Sequence, residues 1–267
     1  MENPTRAVSA APALRRVGLG ALALAMGAYL LACLSVYASQ DGLIYHPMRA
    51  TAANAADTMA LPGADARVLV SVREQPGAQA VVYFGGNAED VALSAPDLAQ
   101  AFPGQALYLL HYRGYAGSTG TPSEPVLRRD ALAVFDMAHA LHPHVVVVGR
   151  SLGSGLAVQV AAQRPANRLV LVTPYDSLSN VAAGYYPWLP VGWLMRDRYD
   201  SAALAPGIRV PTLLLAAERD QVIPADSTAR LLARFHPGVA VRRIVAGAGH
   251  GSISADPRYP GLLAGPP

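Results

Sequence analysis

The chain has 267 residues, 52% of them hydrophobic, which suits one α/β domain with a tail and is ample for a sizeable core. Its formal charge of +3 does not mark a nucleic-acid-binding protein. Arg6, Arg15 and Arg16 precede residue 17 with only Glu2 against them, the remaining 18 arginines and 17 acidic residues nearly balance, and no basic stripe interleaved with aromatics appears. The single cysteine, Cys33, excludes an intramolecular disulfide and leaves the redox compartment open.

From Val17 to Gln40 there is no charge over 24 positions. As a helix at about 1.5 Å per residue this stretch reaches roughly 36 Å, enough to cross a hydrocarbon core of about 30 Å. Arg15 and Arg16 stand before it and Asp41 after it. The positive-inside bias then puts the N-terminus in the cytoplasm and the rest of the chain outside, in the periplasm if the protein is bacterial. Two readings compete with an uncleaved anchor. A secretory signal has an apolar region of only about 7–15 residues, whereas the run here continues through Leu34-Ser-Val-Tyr. Leu30-Leu-Ala-Cys33 loosely matches a lipobox and would give a lipoprotein, but apolar residues continue past the cysteine. The expected division is 1–40 as tail and membrane anchor and 41–267 as the folded domain.

Gly42–Pro47 is an apolar stretch ended by proline, and a Thr/Ala/Asn run follows; both read as a linker, with His46 a surface or packing residue. Strands and helices then alternate. Arg67–Val72, Gln79–Phe84, Ala106–Leu110, Val145–Val148, Leu169–Val172, Thr212–Ala216 and Ala240–Val245 read as strands. Glu89–Ala101, shortened or kinked at Pro96, with Val126–Leu141, Leu156–Gln163 and Ser227–Phe235, read as helices. Repeated units of this length predict an α/β fold with a mostly parallel sheet covered on both faces. Ligands then bind at the carboxyl ends of the strands. His139, His142 and His144 precede a strand and so lie at the opposite edge, with no carboxylate or thiol at ligand spacing. No metal and no cofactor is called for.

The organising stretch is Val145-Val-Val-Val-Gly-Arg-Ser151-Leu-Gly-Ser-Gly155. A β-branched strand, a Gly-x-Ser-x-Gly turn and an apolar helix make a nucleophile elbow with Ser151 at its apex. Gly149 and Gly153 leave room where a Cβ would crowd strand against helix. Asp220 follows Leu213-Leu-Leu-Ala-Ala, and His250 follows the last strand in Gly247-Ala-Gly-His-Gly-Ser252. Ser, Asp, His is the chain order that accompanies such an elbow. A serine hydroxyl is a poor nucleophile until an imidazole takes its proton, and a carboxylate holds that imidazole in the right tautomer. Glu218 and Asp176 are the alternative carboxylates. Attack on a carbonyl also needs two donors for the oxyanion. They are assigned to the backbone N–H groups of Leu152, after the nucleophile, and of Asn87, in the turn Gly85-Gly86-Asn87 after a strand.

These stretches resemble the α/β-hydrolase superfamily, and within it the membrane-anchored serine hydrolases of the serine-aminopeptidase-like and ABHD-type branch. The likeness rests on Gly86-Asn-Ala, on Tyr112-Arg-Gly-Tyr-Ala-Gly-Ser-Thr-Gly-Thr-Pro-Ser-Glu124, on Gly149-Arg-Ser-Leu-Gly, on Thr173-Pro-Tyr-Asp-Ser-Leu178 and on Gly247-Ala-Gly-His250, covering about residues 80–252. Relatives usually carry His-Gly where this chain has Gly85-Gly86, so the oxyanion loop is expected to lack that side-chain support. The chain runs only 17 residues beyond His250, so the closing helix is expected to be short or missing. Residues 176–210 hold Tyr185, Tyr186, Trp188, Trp193 and Tyr199. The resemblance implies a small cap there, building an acyl pocket; a loop packing its aromatics on the core and a membrane-facing lid are the other readings. The implied function is a membrane-tethered serine hydrolase acting on carboxylic esters or thioesters of a small-molecule or lipid acyl substrate. The alternatives are a peptidase or amidase of the same fold, or a non-catalytic binding protein that keeps it.

Overall fold

A computed structural model describes residues 11–49 and 58–266. Most of the Thr/Ala/Asn run expected to be a linker lies outside the described residues. The chain divides between Gln40 and Asp41 into two units. Helix α1 (Ala11–Ile44) makes up the described part of the first and lends its last turn to the second. Within it, Gly18–Ile44 is 27 residues long and apolar enough to cross a membrane by length and composition. Its leucines, among them Leu22, Leu24, Leu31 and Leu34, are exposed.

The second unit is built on an eight-stranded sheet in the order β1-β2-β4-β3-β5-β6-β7-β8. The strands are β1 (Thr58–Ala60), β2 (Leu69–Arg73), β3 (Gln79–Phe84), β4 (Ala106–Leu110), β5 (His144–Arg150), β6 (Arg168–Val172), β7 (Thr212–Arg219) and β8 (Ala240–Gly249). β1 pairs with β2, and β2 with β4, antiparallel; every other pairing is parallel. The central strands are apolar along their whole length because both faces are covered, as a parallel sheet requires. Leu127 and Val134 of α3 (Glu124–Leu141) and Leu156 and Val160 of α4 (Leu152–Gln163) pack with Val82, Phe84 and Val147 on one face. Leu98 of α2 (Ala95–Ala101) and Leu263 of α9 (Tyr259–Ala264) pack with Val81, Tyr83 and Val148 on the other.

Most sequence-based bounds move by a few residues, and some differences have plain causes. The single helix expected over 89–101 is a 3-10 turn, Val91–Ser94, followed by α2, whose first turn takes Pro96 where a missing N–H does no harm. Helix α3 starts at Glu124 for the same reason, with Pro125 in its first turn. Gly42–Pro47 is not a linker. α1 continues to Ile44, and Tyr45 is buried against the body. A closing helix is present as α9, six residues long, with Tyr259 and Leu263 in the core.

The insertion after β6 consists of α5 (Leu178–Tyr185), α6 (Val191–Leu194), α7 (Ser201–Leu204) and a 3-10 turn at Ala205–Gly207. It does not pack all its aromatics inward. Tyr199 and Leu189 are buried, while Tyr185, Tyr186, Trp188 and Trp193 are exposed. Helix α8 (Ala225–Leu232) then leads into β8.

Candidate active site

β3, β5, β7 and β8 run parallel, so the residues just past their carboxyl ends gather at one edge of the sheet. At the end of β5 the chain turns through Ser151 at φ 48°, ψ −117°, a left-handed conformation costing about 1–3 kcal/mol. The turn is held by Ser151 N–H donating to Val172 O at 2.9 Å and Ser154 N–H donating to Ser151 O at 2.9 Å. α4 is buried on nearly every side, and its close approach to the sheet admits no Cβ at two positions. One at Gly149 would strike Gly153 O and Ala157 Cβ; one at Gly153 would strike Phe84 O and Gly85 O.

Ser151 Oγ lies 2.9 Å from His250 Nε2. His250 Nδ1 lies 2.9 Å from Asp220 Oδ2 and 3.0 Å from Oδ1. A carboxylate only accepts, so Nδ1 carries the proton and Nε2 is the acceptor facing the serine. Asp220 Oδ1 also accepts from Val222 N at 2.9 Å and Ile223 N at 2.8 Å. Burial pushes this carboxyl up, but the hydrogen bonds from His250, Ile223 and Val222 outweigh it and hold it below the usual carboxylate range. Asp220 is therefore an anion at neutral pH.

The two competing carboxylates are engaged elsewhere. Glu218 Oε2 accepts from Gly247 N at 2.8 Å. Asp176 accepts from Ser227 Oγ, Asn180 Nδ2 and Arg230 Nε at 2.6, 2.9 and 2.7 Å. Of the three histidines at the opposite edge, His142 is buried, with Nδ1 2.8 Å from Gly77 O and its ring edge-on to Tyr108. Among the described residues no group of three or more His, Cys, Asp or Glu side chains is arranged to hold a metal ion.

The turn Gly85-Gly86-Asn87 lies against the elbow, and a Cβ built on Gly86 would stand 3.6 Å from Ser151 Cβ. Leu152 N–H belongs to the first turn of α4, where no helical carbonyl lies four residues back to receive it. In place of a histidine at Gly85, other groups pin each residue of this turn. Gly85 O accepts from Gly153 N at 3.1 Å and from Tyr112 OH at 2.7 Å. Gly86 N–H donates to Glu89 Oε2 at 2.6 Å. Val91 and Glu89 fill the space into which a side chain at Gly85 would project, so this loop has no room for a histidine in its present path. Glu89 further accepts from Tyr83 OH, Ser94 Oγ and Arg150 at 2.6, 2.7 and 3.0 Å. Arg150, directly before Ser151, also donates to Gly251 O at 3.4 Å, beside His250. An ion pair thus bridges the Gly85-Gly86-Asn87 turn, the elbow and the His250 loop.

Asn87 is clamped through its side chain. Its Oδ1 accepts from Tyr115 OH at 2.7 Å, His46 N at 2.9 Å and Ala88 N at 3.1 Å. Its Nδ2 donates to Ile44 O at 2.6 Å and lies 3.1 Å from His46 Nδ1. The turn of chain that ends α1 is thereby tied to the Gly85-Gly86-Asn87 turn. Nothing in the spacing marks Tyr112, Tyr115 or the 44–46 segment for this role. Glu89 and Arg150 were more legible, as opposite charges at the ends of neighbouring strands.

The family profile described as alpha/beta hydrolase fold matches residues 79–205. An uncharacterized protein of Mycobacterium tuberculosis (strain ATCC 25618 / H37Rv) is 39% identical over 160 residues, covering 58% of this chain and 57% of that protein. Lysophosphatidylserine lipase ABHD12 of Macaca fascicularis is 30% identical over 151 residues, covering 49% of this chain and 38% of the lipase. The chain thus spans about half the length, or less, of these curated relatives. Among solved structures, the Pyrococcus furiosus esterase Pf2001 superposes with a TM-score of 0.63 at 14% identity, over 80% of this chain and 92% of the esterase, a likeness of fold. With the elbow and the mostly parallel sheet, these matches show an α/β-hydrolase fold with relatives of the ABHD type.

Proposed function

We propose that the chain is a serine hydrolase that cleaves carboxylic esters or thioesters through an acyl-enzyme. The observation that carries this reading is the continuous relay from Ser151 Oγ to His250 Nε2 and from His250 Nδ1 to Asp220. Oγ attacks the acyl carbonyl carbon while Nε2 takes its proton, and Asp220 stabilises the imidazolium without accepting a proton itself. The carbonyl oxygen becomes an oxyanion between the N–H groups of Leu152 and Asn87. As the intermediate collapses, the bond to the leaving oxygen or sulfur breaks and His250 returns the proton to it. Water, deprotonated by the same nitrogen, then attacks the acyl-enzyme and releases the acid and free Ser151.

The lipase among the relatives supports an acyl lipid as substrate class. In this reading residues 1–40 are the tail and membrane anchor, 41–267 the hydrolase domain and 176–210 a small cap. The N-terminus is cytoplasmic and the catalytic domain lies outside, periplasmic in a bacterium.

The test is labelling by a fluorophosphonate probe, which reacts only with an activated serine. The wild-type chain is expected to label and Ser151→Ala to label not at all. Undiminished labelling of the variant overturns the nucleophile assignment, and a folded wild type that does not label favours a non-catalytic binding protein. A panel of ester, thioester and peptide substrates run on the same pair separates esterase from peptidase.

A further inference from the structure

Both tryptophans of the chain, Trp188 and Trp193, lie in the insertion between β6 and β7. Both are exposed, Trp193 at 92%, and Tyr185 and Tyr186 beside them are exposed as well. A concentration of large aromatics on the surface marks an interaction site, and Trp and Tyr in particular favour the membrane–water interface, with an apolar ring and a polar handle.

The insertion is tied to the turn where the apolar helix ends. Arg196 donates to Asp41 Oδ1 at 2.6 Å. Tyr45 OH donates to the buried Asp197 at 2.6 Å and lies 2.8 Å from Tyr199 OH. Asp41 and Tyr45 bracket the last turn of the Gly18–Ile44 span, and Leu43 on that turn is itself 61% exposed. Trp193 is three residues from Arg196, so at most about 11 Å of extended chain separates them. Arg198 holds α6 in place by donating to Gly192 O at 2.6 Å and Met195 O at 3.3 Å. An aromatic surface fixed so near the exit of a membrane span meets the headgroup layer rather than open water.

We infer that Tyr185, Tyr186, Trp188 and Trp193 form a membrane-contacting face of the cap, seated in the bilayer interface. The face continues to the catalytic edge. Tyr185 OH donates to Gln221 O at 2.7 Å and Val222 O at 3.2 Å, in the turn that carries Asp220. The inference rests on the membrane reading of the N-terminal helix and not on the assignment of the nucleophile.

Because the chain has only these two tryptophans, emission excited selectively at tryptophan reports on this face alone. The full-length protein is reconstituted into phosphatidylcholine vesicles containing lipid brominated either near the headgroup end or near the methyl end of its acyl chains. Emission is expected to be quenched about twofold or more by the shallow bromines and less by the deep ones, as for an interfacial ring. Trp188→Phe and Trp193→Phe, each left with a single tryptophan on this face, are both expected to keep this quenching; neither side chain lies in the core. Unquenched emission from a chain that resists carbonate extraction overturns the inference and leaves both the tether and the hydrolase reading standing. Loss of quenching in either variant, which would leave its remaining tryptophan off the bilayer, also overturns it. A chain removed by carbonate sinks the tether and this inference together, while fluorophosphonate labelling, which needs neither, reports separately on Ser151.

Discussion

Asn87 works with two separate parts of itself. Its backbone N–H belongs to the turn facing Ser151, and its carboxamide is saturated by three donors on Oδ1 and two acceptors facing Nδ2. That pattern tells nitrogen from oxygen, so aspartate is the sharpest replacement. In Asn87→Asp a carboxylate oxygen would face Ile44 O, now 2.6 Å away, acceptor against acceptor. The loop must shift to relieve this, carrying the proposed oxyanion donor with it. We expect kcat to fall by about 10²–10³, the loss that accompanies removal of one oxyanion donor, with KM changed little. Steady-state kinetics on a soluble ester measure this, and an Asn87→Asp protein with wild-type kcat sinks the positioning role. At this scale the sequence marks residues that end strands, because strand order alone brings them to one edge. It leaves unmarked those that act by reaching across the fold, such as Tyr112 to Gly85, 27 positions back.

Elements were legible in proportion to how local their causes are. β3, β4, β6 and the core of β5 are continuous apolar runs because they are buried on both faces. β1 has three residues and no pattern to read. The Gly42–Pro47 segment looks like a linker because its partners are distant: Tyr45 bonds Asp197 and Tyr199, 152 and 154 positions on. Burial pushes the Tyr45 hydroxyl well above its ordinary value, and the neighbouring Asp197 carboxylate adds to this, so it remains a donor at any working pH. Tyr45→Phe removes the donor and leaves Asp197, buried to 4% exposure, short of one hydrogen bond. A stability loss of about 1–3 kcal/mol is expected, read from the shift in urea midpoint. Because this segment also holds Asn87, hydrolysis is expected to weaken in step. A Tyr45→Phe protein as stable as wild type would mean that the segment is seated by packing alone.

On the scale of the whole molecule, the charge distribution bears on which side of a membrane the folded unit would face. The 18 arginines and 17 acidic residues from Asp41 onward nearly cancel, whereas Arg6, Arg15 and Arg16 stand together before the apolar helix against Glu2 alone. Only charges within about 15–20 residues of a span set its orientation, and there the bias favours a cytoplasmic N-terminus, since Arg49 is the sole basic residue between the span and residue 60. Alkaline phosphatase, whose disulfides form only in an oxidising compartment, makes this measurable. Fused after Pro267 and expressed in a Gram-negative host, it is expected to be active. Replacing both Arg15 and Arg16 with Glu removes most of the asymmetry, so part of the population should invert and phosphatase activity per molecule should fall. An inactive fusion on the wild-type chain, with the protein still in the membrane fraction, would place the folded unit in the cytoplasm. It would also turn the aromatic face of the cap toward the inner leaflet, leaving the relay at Ser151 untouched.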